Sequence, residues 1–112
     1  MKALVIVLNQ ENCLEDVLSV FVDNGVKGAT IVDSQGMASA IVSGDISSIP
    51  LYGSLKTLLR GRNPYSKTIF SVIDNDEKLA RVVEDVRELL KEAPKPGGFM
   101  FTIPVDDMFL LN

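Results

Sequence analysis

Two strand–helix–strand patterns, one at each end of the sequence, are joined by about thirty residues that follow neither pattern. Strands are predicted by aliphatic and β-branched runs over residues 2–8, 27–34, 67–73 and 99–105. Helices are predicted by apolar residues at helical spacing, from Glu11 to Asn24 and from Asp74 to the turn at Pro94. We therefore expect an α+β fold of the ferredoxin-like βαββαβ type. It would have a four-stranded antiparallel sheet, both helices on one face and a long loop between strands 2 and 3.

A chain of 112 residues has the length of one domain. We predict a single domain over residues 1–112, with an insertion over residues 34–66. Two helices on one face would leave the other face of the sheet without a cover, and self-association is the simplest cover for so short a chain. The segment 106–112 is apolar at its end, and we expect it to pack against a surface as well.

Composition excludes several functional classes. The chain has no histidine, which excludes Ser-His triads, histidine general acid–base chemistry and the commonest zinc sites. We predict no catalytic residue, no metal site and no enzymatic activity. Cys13 has no intrachain partner for a disulfide, which favours a reducing, cytoplasmic location. A net charge of −4 argues against nucleic acid as a partner.

The long loop, residues 35–66, has a basic character of its own. Its basic residues Lys56, Arg60 and Arg62 could dock an acidic partner or an anionic ligand, or form a solvated face. A short helix is predicted over residues 54–60. Its apolar side chains could face a partner or fold back on the chain; they belong to a stripe formed by Leu51, Leu55, Leu58 and Leu59.

The turn Pro96-Gly97-Gly98 also has two interpretations. Consecutive backbone N–H groups in such a turn can cradle an anion. Glycine and proline are equally typical of a tight turn that follows a helix. The local sequence leaves both open.

Four segments in this order resemble the P-II family of nitrogen-regulatory signal proteins. They are Gly25–Thr30 (GVKGAT), Gly36-Met37, Val82-Val83-Glu84 and Gly97–Asp107 (GGFMFTIPVDD). The likeness covers about residues 1–34 and 67–111. It implies a homotrimer whose three intersubunit clefts bind ATP or ADP and, in many members, 2-oxoglutarate. It also implies a long T-loop that contacts a regulated enzyme or membrane transporter.

The resemblance assigns ligand-binding roles to several positions of this chain. A family threonine meets the adenine, two residues form the root of the T-loop, a lysine closes the T-loop on the phosphates, and glycines form the phosphate-side B-loop. The corresponding residues are Thr30, Gly36, Met37, Lys67, Gly97 and Gly98.

Other family positions are not retained. The B-loop aspartate, its preceding glycine and the phosphate-binding lysine are replaced, as are two tail arginines and a T-loop glycine. The replacements are Gly97, Pro96, Phe99, Leu110, Asn112 and Ala38, and the glutamine that positions magnesium and 2-oxoglutarate has no clear counterpart near residues 39–41. Each charged hydrogen bond contributes about 1.5–3 kcal/mol, so the loss of three cations disfavours ordinary ATP and 2-oxoglutarate sensing.

The sequence therefore predicts a P-II-like signal-transduction protein that has moved away from the family's usual ligands. It would be a trimer that senses an adenine nucleotide with fewer phosphates, or another small anion, in the intersubunit cleft. It would control a partner protein through residues 35–66. The alternative is a trimeric protein-interaction module without a ligand.

Overall fold

The computed structural model describes residues 1–44, 48–50, 52–58 and 65–112. Along the chain these residues form β1 (Lys2–Leu8), a 3-10 turn (Glu11–Cys13), α1 (Leu14–Asp23), β2 (Thr30–Gln35), α2 (Met37–Ser43), α3 (Tyr52–Leu58), β3 (Tyr65–Ile73), α4 (Asp76–Leu90) and β4 (Gly98–Pro104).

The four strands form one antiparallel sheet in the order β2-β3-β1-β4. β1 is central and pairs with β3 and β4 along its whole length. The α+β class and the four-stranded antiparallel sheet predicted from the sequence are confirmed. β2 and β4 are the two edges of the sheet.

The hydrophobic core lies on one face of the sheet, under α1 and α4. Alternate residues of β1 point into it and are almost fully buried, as expected for a central strand. The helices contribute the apolar residues that recur at helical spacing. The buried core consists of Leu4, Ile6, Leu8, Val17, Phe21, Val26, Ile69, Ile73, Leu79, Val82 and Val86.

The opposite face of the sheet, here called the open face, is apolar and exposed. Val5 of β1 lies between Phe70 of β3 and Phe101 of β4 in one cross-strand row. The side chains of Phe70 and Phe101 are 41% and 44% exposed. The rings of Phe99 and Phe101 stack with their centroids 6.2 Å apart. Within the described residues, α1 and α4 pack on the other face of the sheet.

Several element boundaries differ from the sequence prediction, and the starts of β2 and α4 are the clearest cases. β2 begins at Thr30 rather than residue 27, because the carbonyl of Gly28 accepts a hydrogen bond from the Ser71 hydroxyl (2.5 Å) outside the ladder. α4 begins at Asp76, where the Asn75 side chain caps the helix by accepting from the backbone N–H of Lys78.

The insertion between β2 and β3 contains a helix that the sequence prediction missed. α2 begins directly after Gly36 and contacts α3. The short helix predicted over 54–60 begins earlier, at Tyr52, and is described as far as Leu58. None of the helices within the described residues is long and apolar enough to cross a membrane.

The segment after β4 crosses the end of the sheet. The backbone N–H of Val105 donates to the carbonyl of Met1 at 3.1 Å. Met108 then lies beside Val72 and Ile73 of β3. The following residues find no cover among the described residues, since Phe109, Leu110 and Leu111 are 82%, 80% and 99% exposed.

Candidate functional site

One row of residues crosses the sheet at the end where β1 stops, and it contains two of the predicted site residues, Lys67 and Gly98. Asp33 of β2 lies opposite Lys67 of β3, Lys67 lies opposite Leu8 of β1, and Leu8 lies opposite Gly98 of β4. Adjacent strands are about 4.8 Å apart, so Lys67 and Gly98 are separated by roughly 10 Å across β1. The predicted phosphate-side residues therefore share one end of the sheet.

The ammonium group of Lys67 is already engaged by a carboxylate. It forms a salt bridge and hydrogen bond with Asp33, its cross-strand neighbour. The hydrogen bond to Asp33, followed by the charges of Asp33 and Glu11, raises the pKa of Lys67. The pair lies at the surface, with 81% of the Asp33 side chain exposed. An anion that binds Lys67 must therefore compete with Asp33.

Gly98 has a packing role that does not involve a ligand. Its φ of +135° is a conformation that favours glycine, and a Cβ at this position would lie 2.1 Å from the carbonyl oxygen of Val7. Gly97 has no such constraint, because a Cβ there would meet nothing within 4 Å. Close pairing of β4 with β1 thus explains why residue 98 is a glycine. Of the two glycines in this turn, Gly97 is not required by packing.

The turn before β4 is held against the end of β1. The Gly97 carbonyl accepts a hydrogen bond from the backbone N–H of Asn9 at 3.0 Å. The Gln10 side chain donates to the Pro94 carbonyl at 3.1 Å. The peptide bond between Lys95 and Pro96 is cis. The two hydrogen bonds fix the position of the turn relative to the row that contains Lys67.

The other predicted ligand residues lie on β2 or directly after it. Thr30 pairs with Phe70, three residues from the Asp33–Lys67 pair, which is roughly 10 Å along the strand. Gly36 precedes α2 directly, and Met37 is its first residue with 79% of its surface exposed. A single chain does not bring Thr30 together with Lys67 and Gly98.

Three hydroxyl groups beside this row were not singled out by the sequence. The Ser34 hydroxyl lies 2.8 Å from the hydroxyls of both Ser66 and Thr68 on the open face. These residues alternate along β2 and β3, a pattern that could have indicated a polar corner on an apolar sheet face. Asp33 was missed for a related reason, since its contact with Lys67 depends on the register of the two strands.

The basic residues of the long loop are described only in part. Lys56 lies in α3 and is exposed. Arg60 and Arg62 lie outside the described residues, as do Leu51 and Leu59 of the predicted apolar stripe. The described parts of the chain contain no cluster of three or more cysteine or acidic residues that could hold a metal ion.

A groove of about 600 Å³ runs between α4 and β4 on the helix side of the sheet. Apolar residues of both elements and of β1 form most of its wall, and Gly97 of the turn before β4 also lines it. Among the lining residues only Arg87 and Lys95 are charged, and both are basic. This groove is here called the α4–β4 groove.

No protein-family model matches this chain, and no curated protein matches it either. The resemblance to P-II proteins therefore stays a prediction from the sequence segments that suggest it.

We expect Gly98→Ala to destabilise the fold, because the new methyl group would overlap the Val7 carbonyl oxygen. A residue forced into such a conformation costs on the order of 1–3 kcal/mol. The matched change Gly97→Ala has open space and should alter the free energy of unfolding by less than about 0.5 kcal/mol. Urea denaturation of both variants measures the difference. Equal effects would show that Gly98 has no special packing role.

We expect Asp33→Asn to lower the pKa of Lys67 toward its ordinary value, with Glu11→Gln giving a smaller change in the same direction. NMR titration of the Lys67 side chain measures both. Because the folded-state pKa is raised, the stabilisation from this pair is fully present below the ordinary lysine pKa. It is lost as the pH rises through the raised value. An unchanged pKa in Asp33→Asn would contradict the pairing.

Proposed function

We propose that this protein is a P-II-like signal-transduction protein. It assembles into a trimer through the open face, binds a small anion in the cleft between subunits, and controls a partner protein through residues 35–66. It acts in the cytoplasm and catalyses no reaction. The partner is an enzyme or a membrane transporter that the insertion contacts.

The observation that carries this proposal is the exposed apolar face on a sheet of order β2-β3-β1-β4. With α1 and α4 both on the opposite face, the sheet supports the ferredoxin-like βαββαβ arrangement that we propose. Soluble monomers rarely expose contiguous apolar patches of this kind, and such patches mark interaction sites. The exposed large side chains on it are Val32, Phe70, Phe99, Phe101 and Ile103.

The distribution of the predicted ligand residues supports a cleft between subunits. Lys67 and Gly98 share one end of the sheet, whereas Thr30 lies further along β2. A second copy packed on the sheet could supply a Thr30 that the first copy cannot bring into place. The site is then complete only in the assembly.

The charge around Lys67 limits the class of ligand. A triphosphate requires several charge-assisted hydrogen bonds to offset the loss of its hydration. Here Lys67 is shared with Asp33, Glu11 is close enough to affect its pKa, and Phe99 offers no charge. A nucleoside monophosphate or diphosphate, or a smaller anion, fits these groups better than ATP.

The ligand-free interaction module is the second candidate, and two observations favour it. Asp33 already neutralises Lys67, and Gly98 is explained by its contact with Val7. The presence of Lys67 and Gly98 is then explained without a ligand. In this version the trimer and the insertion serve only to present a docking surface.

We expect the wild-type chain to be a trimer and Phe101→Glu to be monomeric, because a charge on the open face is costly to desolvate when that face is buried. Val22→Glu is the matched control, since Val22 is 71% exposed on α1, away from the open face. Analytical ultracentrifugation measures the mass of each variant. A monomeric wild type, or an unchanged trimer in Phe101→Glu, would contradict the assigned interface.

We expect a small anion to raise the melting temperature, because a ligand that binds only the folded state stabilises it by about 2.7 kcal/mol at 100 times Kd. A thermal-shift series with AMP, ADP, ATP, 2-oxoglutarate and bicarbonate at millimolar concentration tests this. Lys67→Ala should abolish the shift and Asp33→Asn should enlarge it, whereas Lys91→Ala, on the exposed end of α4, should do neither. If no compound shifts the wild type, the ligand-free module replaces the sensor.

A further inference from the structure

The α4–β4 groove is an apolar channel with a basic rim. Its wall includes the half-buried side chains of Val83, Leu90 and Met100, which pack against the core and also line the groove. Arg87 and Lys95 are exposed and lie on its lining, and no acidic residue does. A complementary occupant is apolar with an acidic flank.

The segment 106–112 has this chemistry. Asp106 and Asp107 precede three apolar residues that are at least 80% exposed, Phe109, Leu110 and Leu111. Aromatic side chains such as Phe109 are enriched at protein–protein interfaces. The two acidic residues are opposite in charge to the two basic residues of the groove and equal to them in number.

The path of this segment directs it away from its own groove. Val105 is bonded to Met1, and Met108 lies beside Val72 and Ile73 of β3. The groove follows β4, on the other side of the central strand β1. The exposed residues thus leave the sheet on the β3 side of one copy, and the groove opens on the β4 side.

We propose that residues 109–111 of one copy fill the α4–β4 groove of a neighbouring copy, with Asp106 and Asp107 of that segment near Arg87 and Lys95. The segment and the groove are different surfaces of the molecule, so a contact that is not returned within a pair of copies is heterologous. Such contacts close into a ring when the rotation between copies permits. The inference rests on the self-association proposed above and adds a second contact to it.

Disulfide trapping on the full-length chain tests this contact. In a Cys13→Ser background, one sample carries Leu111→Cys and the other Ala93→Cys, a half-buried residue that lines the groove. A disulfide requires Cα atoms within about 7 Å. We expect the mixed samples to form heterodimers at least about tenfold faster than Leu111→Cys mixed with Ser19→Cys, because a docked segment has a high effective concentration. Ser19 is exposed on α1 and lies outside the groove. Equal rates for Ala93→Cys and Ser19→Cys would overturn the inference.

A charge exchange provides a second readout with little risk to the core, since the four residues involved are exposed. Arg87→Glu with Lys95→Glu in the Ala93→Cys chain should remove the rate advantage. Asp106→Lys with Asp107→Lys in the Leu111→Cys chain should restore it when the two are mixed. A rate of heterodimer formation that is unchanged by both charge exchanges would also overturn the inference.

The two proposals fail in distinguishable ways. A trimer that shows no preferential trapping at residue 93 would reject the segment contact and leave assembly through the open face in place. A monomer with no trapping would reject both contacts. The thermal-shift series tests ligand binding independently of either result.

Discussion

Two amphipathic helices cover only one face of a four-stranded sheet, and the remaining features of this protein depend on that asymmetry. Leu4, Ile6 and Leu8 of the central strand are buried beneath α1 and α4. The residues between them face the open side, where Phe70 and Phe101 are exposed. Since apolar area removed from water is the main driving force for association, the open face favours assembly over an isolated chain.

The Asp33–Lys67 pair connects the sheet to the insertion that we propose as the partner-binding segment. It joins the edge strand β2 to β3 at the end of the sheet, and β2 leads directly through Gly36 into α2. An anion that takes Lys67 from Asp33 would act on the strand that enters the insertion. A ligand changes a conformational equilibrium only through different affinities for the two states. Competition between an internal carboxylate and an external anion provides such a difference.

Much of the fold could be predicted because its signals are local. β-branched runs marked the strands, and apolar periodicity marked α1 and α4. α2 was missed because it is short and lies in a segment rich in serine and glycine, between Gly36 and Gly44. The site was less predictable, because the contacts of Asp33 with Lys67 and of Gly98 with Val7 depend on strand register. Register is a property of the folded sheet and not of any single segment.

Native mass spectrometry of the untagged chain, purified without added nucleotide, tests whether the protein is a trimer that carries an anion. We predict a particle of three times 12.2 kDa that carries a small anion and releases it in Lys67→Ala. A trimer without any bound molecule would favour the interaction module. A particle of 12.2 kDa at micromolar concentration would contradict the account, because the open face would then be stable in water without a partner.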